Sequence, residues 1–422
     1  MRMSYLRASV CVCGVLLLAS FAIAADWPRF RGDNGSGVAA ADLPAKWSEA
    51  DYRWKLDLPG GGHASPVIWG DRVFVVSGDD ESGARIVDCF DARTSKRHWQ
   101  HRFDDLTHKK HRFNSFATAT PAAEEDRLYV TWGTPEKVNV VCFDHAGKTI
   151  WQADLGKFNS GHGYGVSPII VEDLLIIPGD QERDSRVIAL DKRSGEVKWR
   201  LERKTERATY STPAVFRASA DAPPELIFTN WDLGVTSVDA RTGKVNWEIG
   251  VFGEKPERAI GSPIVWNDLV IATCGFVGRP KTCAAIRPAS APGNKTGQPQ
   301  VVWKTTSNVA HVPTPIVVDD RLYLWSDDGI ISCLDPRNGE VVFRSRLEGK
   351  FGTFFSSPVS DGKHIFNVSE YGNVVVIEAG TTFKQVAVNE LDELCRASPA
   401  IGGGDLFVRI YSHLYCIRGQ TN

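Results

Sequence analysis

Long apolar runs, metal-binding cysteine patterns and a surplus of one charge sign are missing from most of this 422-residue sequence. No run of about 20 apolar residues follows the first 24 positions, so no transmembrane helix is expected in the rest of the chain. No Cys-x-x-Cys, Cys-x-x-Cys-His or histidine-rich spacing occurs, which argues against a structural zinc site or covalently attached haem. The 49 basic and 51 acidic residues give a formal charge of −2, which argues against a dominant nucleic-acid-binding or membrane-binding surface.

The first 24 residues have the pattern of an export signal. Arg2 and Arg7 provide a positive start, Ala8–Phe21 is apolar, and residues 22–24 (Ala-Ile-Ala) are typical of a signal peptidase site. The apolar run is too short to span a bilayer comfortably, although an uncleaved anchor is the alternative interpretation. We therefore expect cleavage after Ala24 and a periplasmic or secreted protein.

A Ser-Pro or Thr-Pro pair recurs eight times, at intervals of 41 to 55 residues. The pairs begin at Ser65, Thr120, Ser167, Thr212, Ser262, Thr314, Ser357 and Ser398. Intervals of this size indicate propeller blades or a solenoid. Each pair starts a series of short runs rich in β-branched and aromatic residues, separated by polar turns. Four such runs in each repeat are typical of a propeller blade.

The two ends of the chain complement each other. The repeat that starts at Ser398 stops after three runs, whereas Arg53–Leu58 (RWKLDL) is a Trp-bearing fourth strand without a repeat before it. Pairing them closes an eighth blade and leaves no large unpaired sheet edge. The sequence therefore predicts an all-β, eight-bladed propeller of four-stranded antiparallel blades at 53–419, with a capping segment at 25–52. Seven blades is the alternative if the divergent repeat around Val386 is not a full sheet.

A second motif recurs at the turn between the third and fourth strands, as in residues 239–247 (DARTGKVNW). Asp hydrogen-bonds into the turn, Gly supplies a positive φ, and the bulky ring can pack on the next blade. An active site is needed once but a staple in every blade, so we interpret the motif as structural. The predicted blade staples are Trp54, Trp99, Trp151, Trp199, Asp239, Gly243, Trp247, Trp303 and Phe343. In the first repeat we place Lys96 at the glycine position, which predicts strain there or a different turn.

This motif resembles the blade motif of the PQQ-like β-propeller repeat proteins, a family that includes quinoprotein dehydrogenases and the outer-membrane assembly factor BamB. The resemblance covers essentially the whole chain after residue 24, and it implies the blade architecture rather than a particular activity. Residues 27–37 (WPRFRGDNGSG) look like the opening segment of secreted members of this family. Their expected role is to cap the ring.

Seven cysteines follow the export signal. Four of them share one repeat position, where Ala189 stands in the third repeat, and we interpret them as small buried apolar residues: Cys89, Cys142, Cys333 and Cys416. Cys274 and Cys283 flank one hairpin. They are the candidate pair for a disulfide, and the reduced pair is the alternative.

The loops before each Ser/Thr-Pro pair open on the face opposite the DARTGK-type turns, and they carry cationic and aromatic residues. Such residues around a channel mouth can bind an anionic or planar ligand or a peptide segment, whereas the alternative is that they are only solvated. The candidate binding residues are His63, Arg112, Phe113, His162, Tyr164, Arg207, Tyr210, Arg258, His311, Phe355 and Arg396. No metal-ligating set and no catalytic residue is predicted.

Three functions are compatible with this sequence. The first is a non-enzymatic, monomeric scaffold without a cofactor, BamB-like in architecture, which binds a protein partner and no nucleic acid. The second is a PQQ-dependent alcohol or sugar dehydrogenase that holds PQQ with calcium. Such enzymes typically carry adjacent cysteines beside the quinone, and no Cys-Cys pair or matching acidic motif occurs here. The third is a module that senses a small extracellular ligand through the same loops.

Overall fold

The computed structural model describes residues 26–253, 258–276 and 278–420, and the predicted export signal at 1–24 lies outside them. Within these ranges, 32 strands form eight four-stranded antiparallel sheets, which confirms the eight-bladed propeller. The seven-blade alternative is wrong, because Val386 lies in a strand of a complete four-stranded sheet. No helix in the described part of the chain is long and apolar enough to cross a membrane.

The first strand in the chain, β1 (Tyr52–Asp57), belongs to the last blade. The first two blades contain β2 (Val67–Trp69), β3 (Arg72–Gly78), β4 (Arg85–Asp91) and β5 (Arg97–Phe103), then β6 (Ala122–Glu124), β7 (Arg127–Gly133), β8 (Val138–Asp144) and β9 (Thr149–Asp154). Blades 3 and 4 contain β10 (Ile169–Val171), β11 (Leu174–Ile177), β12 (Arg186–Asp191) and β13 (Val197–Glu202), then β14 (Ala214–Phe216), β15 (Glu225–Asn230), β16 (Gly234–Asp239) and β17 (Val245–Ile249).

The remaining blades follow the same order, from the inner strand to the outer one. Blades 5 and 6 contain β18 (Ile264–Trp266), β19 (Leu269–Cys274), β20 (Thr282–Arg287) and β21 (Gln300–Thr305), then β22 (Ile316–Val318), β23 (Arg321–Trp325), β24 (Ile330–Leu334) and β25 (Val341–Arg346). Blades 7 and 8 contain β26 (Val359–Ser360), β27 (His364–Val368), β28 (Asn373–Glu378) and β29 (Gln385–Glu390), then β30 (Ala400–Gly402), β31 (Asp405–Arg409), β32 (His413–Ile417) and β1.

The ring closes where β1 pairs antiparallel with β32, as the two ends of the sequence predicted. Trp54 lies opposite Cys416 in this pairing. The core lies between blades, because the middle strands β3 and β4 are almost entirely buried, whereas the outer strand β5 is partly exposed along its length. Two 3₁₀ turns, Asp33–Gly35 and Glu49–Asp51, precede β1 in the described chain.

In six of the eight Ser/Thr-Pro pairs, the hydroxyl joins neighbouring blades. The N–H of Thr120, for example, donates a hydrogen bond to Ser167 Oγ at 3.0 Å. Among the described residues six such bonds of 2.8–3.0 Å run from Ser65 to Thr120, Thr120 to Ser167, Thr212 to Ser262, Ser262 to Thr314, Thr314 to Ser357, and Ser357 to Ser398. The repeated motif therefore links the start of the inner strands at six of the eight junctions between neighbouring blades.

The aromatic ring of the DARTGK-type motif spans two blades. Trp199 Nε1 donates a hydrogen bond to the carbonyl of Ala240 in the next blade at 3.0 Å. Gly243 has a φ of 73°, and a Cβ added there would lie 2.6 Å from the Trp199 ring, so glycine is required twice over. Asp239 Oδ1 accepts the N–H of Thr242 at 2.8 Å and shapes the turn.

Equivalent bonds to the next blade are donated by four other tryptophans: Trp54 to Ala92, Trp99 to His145, Trp151 to Lys192 and Trp303 to Pro336. Trp247 differs, because its Nε1 donates to Glu225 Oε2 at 3.2 Å. In the blade next to Trp247, the longer segment 288–300 replaces the usual turn. Phe343 has no donor and packs 6.1 Å from the Phe383 ring instead.

The expectation for Lys96 is wrong. Ser95, not Lys96, occupies the glycine position, with a φ of 57°. Its N–H donates to the carbonyl of Asp91 at 2.9 Å, as the N–H of Gly243 does to Asp239. The turn is therefore shared with the other blades, and it holds a serine in the left-handed region, where serine is strained.

The shared cysteine position lies opposite the staple ring in the sheet, so a small residue is needed there. Cys89 faces Trp99 and is fully buried. The predicted disulfide is not formed, because Cys283 pairs with Thr273 whereas Cys274 pairs with Thr282. Neighbouring positions of a strand point to opposite faces, so this register places the two sulfur atoms on opposite sides of the sheet.

The segment before β1 crosses the lower end of the channel, on the side of the DARTGK-type turns. Trp27 pairs with Ile68 of blade 1, and the Asn34 side chain exchanges two hydrogen bonds of 2.8 Å with the backbone of Val215 in blade 4. Arg31 is fully buried, and burial lowers its pKa to about 9, so it is charged at neutral pH. Its guanidinium donates five hydrogen bonds of 2.9–3.2 Å to the carbonyls of Gly35, Ser36, Thr314, Pro315 and Pro358.

Candidate functional site

A cavity of about 560 Å³ lies at the upper mouth of the channel, on the face of the loops that precede the Ser/Thr-Pro pairs. Its lining includes hydroxyl residues just before the inner strands, such as Thr120, Thr314 and Ser357. Phe30 of the N-terminal segment lines it from the end of the channel that this segment closes. We call this space the upper cavity; it is a pocket with one open end.

Most of the sequence-predicted binding residues meet at the upper cavity, although they come from eight different loops. The residues that line it are His63, Phe113, His162, Tyr210, Arg258, His311, Phe355 and Arg396. Their convergence follows from the topology, because every loop between a fourth strand and the next inner strand ends at the same rim.

Three predicted residues lie elsewhere. Arg112 and Arg207 are exposed outside the upper cavity. Tyr164 is buried between blades, where its ring lies 5.0 Å from that of Phe158. Neighbouring residues of a loop alternate between the channel and the blade interface, and sequence position alone does not decide which way each one points.

Arg396 is clamped between two aromatic rings at the rim. Its guanidinium carbon lies 4.7 Å from the Phe113 ring centroid and 5.0 Å from that of Phe355, which is cation–π geometry. Its Nη1 lies 3.4 Å from His63 Nε2. No carboxylate lies within ion-pair distance of Arg396 among the described residues, although the charge of Glu370 acts on it from farther away. Its Nε has no hydrogen-bond partner there. The clamp fixes the guanidinium without pairing it directly to a carboxylate.

Arg258 makes a different contribution, because its charge is compensated. Its Nη2 donates to Glu182 Oε1 at 2.8 Å, and its Nη1 donates to the carbonyl of Ala208 at 3.4 Å. Tyr210 is fixed nearby by hydrogen bonds of its hydroxyl with Ser160 Oγ at 2.7 Å and with a backbone carbonyl. This side of the upper cavity is therefore rigid and close to neutral.

The histidines of the upper cavity are neutral at pH 7. Burial, with the nearby positive charge of Arg396, lowers the pKa of His63 to about 3. Burial and the charge of Arg258 lower the pKa of His162 to about 4, and the ring of His162 stacks on that of His111 at 4.6 Å. Desolvation also lowers the pKa of His311. Their charge is lost because a proton would be poorly hydrated and would face arginines.

Several buried polar atoms around the upper cavity have no hydrogen-bond partner among the described residues. They are Nδ1 of His63, Nδ1 of His162, Nε2 of His311 and Oγ of Ser65. Buried polar groups are ordinarily paired, so these four atoms are exceptions among the described residues. The site thus combines apolar walls, one cation without a direct ion-pair partner and neutral imidazole nitrogens.

Carboxylates are missing from this lining. Of the residues around the upper cavity that the structure describes, none is Asp or Glu. The described ranges also contain no group of three or more His, Cys, Asp or Glu residues placed to hold a metal ion. Oxygen ligands for a hard cation such as calcium are therefore not gathered here.

The sequence-based selection missed further lining residues. His111 and Asn114 lie in the same loop as Phe113. Phe30 comes from the capping segment, and Phe276 comes from the connection between the second and third strands of blade 5. The connection between second and third strands also opens on the upper face, a topological rule that would have identified Phe276 from the strand order alone.

Comparison with known proteins identifies relatives of two kinds. A family model described as outer membrane protein assembly factor BamB matches residues 83–345. A 1-butanol dehydrogenase (cytochrome c) of Thauera butanivorans is 27% identical over 178 residues, which cover 39% of this chain and 25% of that enzyme. The chain thus spans about a quarter of the length of the curated relatives it matches.

Solved structures share the fold. BamB from Moraxella catarrhalis superposes with a TM-score of 0.63 at 14% identity, covering 87% of this chain and 97% of that one. A europium-containing methanol dehydrogenase superposes with a TM-score of 0.67 at 12% identity, covering 92% of this chain and 90% of that one. Identities this low establish the propeller architecture and nothing about the chemistry.

Proposed function

Because the chain belongs to the family described as outer membrane protein assembly factor BamB, we propose that it is a non-catalytic propeller that binds a protein partner at the upper cavity. Export to the periplasm or the cell exterior is part of this proposal, because the first 24 residues have the pattern of an export signal. The partner contacts the rim loops and inserts a part of itself into the upper cavity.

One observation carries the proposal: a preformed pocket whose described lining has no carboxylate and holds an arginine without a direct ion-pair partner. Phe113 and Phe355 hold Arg396 in place, so little conformational entropy is lost when a partner binds it. Aromatic residues and arginine are also the side chains that contribute most to protein–protein binding energy. The arrangement suits recognition more than proton transfer, because His63 and His162 have their pKa values lowered to about 3 and about 4.

A dehydrogenase that uses calcium-bound PQQ fits these residues less well. The described lining has no Asp or Glu to ligate calcium or to accept a proton from an alcohol. The sequence also has no pair of adjacent cysteines. PQQ with calcium is therefore the competing hypothesis that the experiment must be able to detect.

The test uses the purified full chain as bait in a periplasmic extract of its source organism, followed by binding measurements with the purified candidate. We compare the natural protein with Phe113→Ala/Phe355→Ala, which removes the clamp, and with Arg241→Ala, an exposed lower-face control. A partner bound by the natural protein and the control, but at least tenfold more weakly by the clamp variant, supports the proposal. Equal binding by all three rejects it.

A second arm addresses the competing hypothesis. The protein is incubated with PQQ and Ca²⁺, and its absorbance spectrum and melting temperature are recorded. A stoichiometric quinone spectrum together with a raised melting temperature would replace the binding role with quinoprotein chemistry.

A further inference from the structure

The upper cavity is closed from below, which limits what can enter it. The N-terminal segment touches blade 1 through Trp27, blade 4 through Asn34 and blades 6 and 7 through Arg31, so it spans the channel from side to side. Phe30 of this segment faces the upper cavity. A polypeptide that enters from the rim therefore cannot pass through the ring.

The volume adds a second restriction. About 560 Å³ lies within the range of roughly 300–1,000 Å³ that suits one drug-sized molecule. An internal segment of a partner would have to enter and leave by the same opening, and it would need room for two strands and a turn. The end of a chain needs room for one strand only.

The charge of the lining selects between the two kinds of chain end. Arg258 is paired with Glu182, whereas Arg396 has no direct ion-pair partner among the described residues, so the unpaired charged group of the lining is a cation. An amino terminus carries a positive charge and is repelled. A carboxylate is attracted, and the planar guanidinium can bind both of its oxygens.

The neutral nitrogens point to the same kind of ligand. His63 is 8% exposed, lines the upper cavity, and has an Nδ1 without a partner among the described residues. Its Nε2 already lies beside Arg396. Because a guanidinium only donates, Nε2 accepts from Arg396 and the proton of the neutral ring lies on Nδ1, which can donate to a carboxylate.

We propose that the upper cavity binds the C-terminal residue of a partner polypeptide, with the α-carboxylate on Arg396 and an apolar or aromatic last side chain against Phe113, Phe355 and Phe30. This inference rests on the proposed function, because it assumes that the partner is a protein. It adds which part of the partner is recognised and by which residues. Capture of a terminal carboxylate is a recognised mode of peptide binding.

The experiment uses hexapeptides labelled at the amino terminus and measures fluorescence anisotropy with the full-length protein. One peptide ends in Val-Phe with a free carboxylate, and the second is identical but amidated. We expect the free acid to bind at least tenfold more tightly, a difference of about 1.4 kcal/mol. Salt should reduce this difference if the guanidinium is responsible.

Variants assign the effect to the arginine. Arg396→Gln should remove the preference for the free acid, and Arg396→Lys should restore only part of it, because lysine lacks the planar fork. Arg241→Gln on the lower face should bind both peptides as the natural protein does. Melting curves of each variant verify folding, and a change confined to the acid–amide difference separates recognition from stability.

Three outcomes would overturn the inference. Equal binding of acid and amide rejects recognition of the carboxylate. Binding of N-acetylphenylalanine as tight as that of the hexapeptide assigns the site to small carboxylates rather than chain ends. If an amidated peptide with an internal Asp-Phe binds as tightly as the free-acid hexapeptide, the site recognises internal segments.

The failure of the inference is distinguishable from failure of the proposed function. If a captured partner still binds after its C-terminus is extended by a Gly-Ser tail, the inference is wrong and the protein-binding function stands. If free-acid peptides bind through Arg396 but the extract yields no partner that depends on the Phe113–Phe355 clamp, recognition of the carboxylate stands and the proposed function is wrong.

Discussion

Two arginines, one at each end of the channel, have different environments and different roles. Arg31, at the lower end, is fully buried and donates five hydrogen bonds to backbone carbonyls of its own turn and of blades 6 and 7. Arg396, at the upper end, is clamped by Phe113 and Phe355 and has no hydrogen-bond partner for its Nε among the described residues. One guanidinium is satisfied within the fold, and the other is held in place without being satisfied.

The difference separates stability from recognition. A buried charge surrounded by acceptors contributes to folding only if every partner is present, because removing it leaves several buried carbonyls unpaired. A charge fixed by apolar rings gives the fold little, but it remains available to a ligand without prior rearrangement. We therefore expect substitutions at the lower end to change unfolding, and those at the upper end to change binding.

The sharpest test exchanges each arginine for methionine, which preserves much of the apolar stem. Arg31→Met should lower the free energy of unfolding by about 5 kcal/mol, since it leaves five carbonyls without their donor. Arg396→Met should lower it by only about 1 kcal/mol, the value of its cation–π contacts. Urea denaturation of both variants measures the two effects side by side.

The comparison breaks if the two variants are destabilised equally, because Arg396 would then serve the fold as Arg31 does. Peptide binding by the same two variants provides a second comparison. Arg31→Met, measured below its melting temperature, should retain binding, whereas Arg396→Met should lose it.

The blade staples belong to the lower, stability-determining part of the molecule. Trp199→Ala removes a buried ring that packs on Gly243 and donates to the carbonyl of Ala240, so it should cost about 3–5 kcal/mol. Phe113→Ala at the rim is the matched aromatic control and should cost about 1 kcal/mol while weakening ligand binding. Thermal melts of the two variants make the comparison, and a larger loss for Phe113→Ala would contradict it.

The sequence predicted the blades well because each rule repeats and acts locally. A ring such as Trp99 needs a small residue opposite, here Cys89, and both recur at fixed intervals. The prediction for Lys96 was one residue out, because Ser95 follows Asp91 by four residues as Gly243 follows Asp239, and Ser95 has the positive φ. The Cys274–Cys283 pairing depended on strand register, which spacing does not determine.

The site was predictable only as a set of loops. Chain direction places His63, His162 and Arg396 at one rim, and the structure brings them to the upper cavity. The direction of a single side chain depends on packing, as the burial of Tyr164 between blades illustrates. The role of Phe30 depends on how deeply the N-terminal segment enters the channel, which no local pattern encodes.

Acidification should lower the free energy of unfolding through His63 at the upper end of the channel. The pKa of His63 is lowered from 6.5 to about 3, chiefly by burial, so below pH 6.5 the unfolded chain takes up a proton that the folded chain refuses. Stability is unaffected by this group above pH 6.5 and is lost as the pH falls toward 3. The expected loss between pH 6.5 and pH 5 is about 2 kcal/mol.

His63→Gln isolates this contribution, because glutamine does not titrate. The free energy of unfolding is measured by urea denaturation at pH 6.5 and pH 5 for the natural protein and the variant. Between these pH values the natural protein should lose about 2 kcal/mol more than the variant. Equal losses would show that His63 is protonated without penalty in the folded protein, and the upper cavity would then be more hydrated than its burial implies.

The smallest effect concerns a single turn at the lower face. Ser95 has a φ of 57°, in the region where its counterpart Gly243 has a φ of 73°. Ser95→Gly should therefore raise the free energy of unfolding by about 1 kcal/mol, because relief of strain exceeds the added entropy of the unfolded chain. Lys96→Gly, one residue later, is the matched control and should not stabilise. Guanidinium denaturation measures the free energy of unfolding of both variants. Stabilisation by Lys96→Gly but not by Ser95→Gly would place Lys96 at the glycine position of this turn.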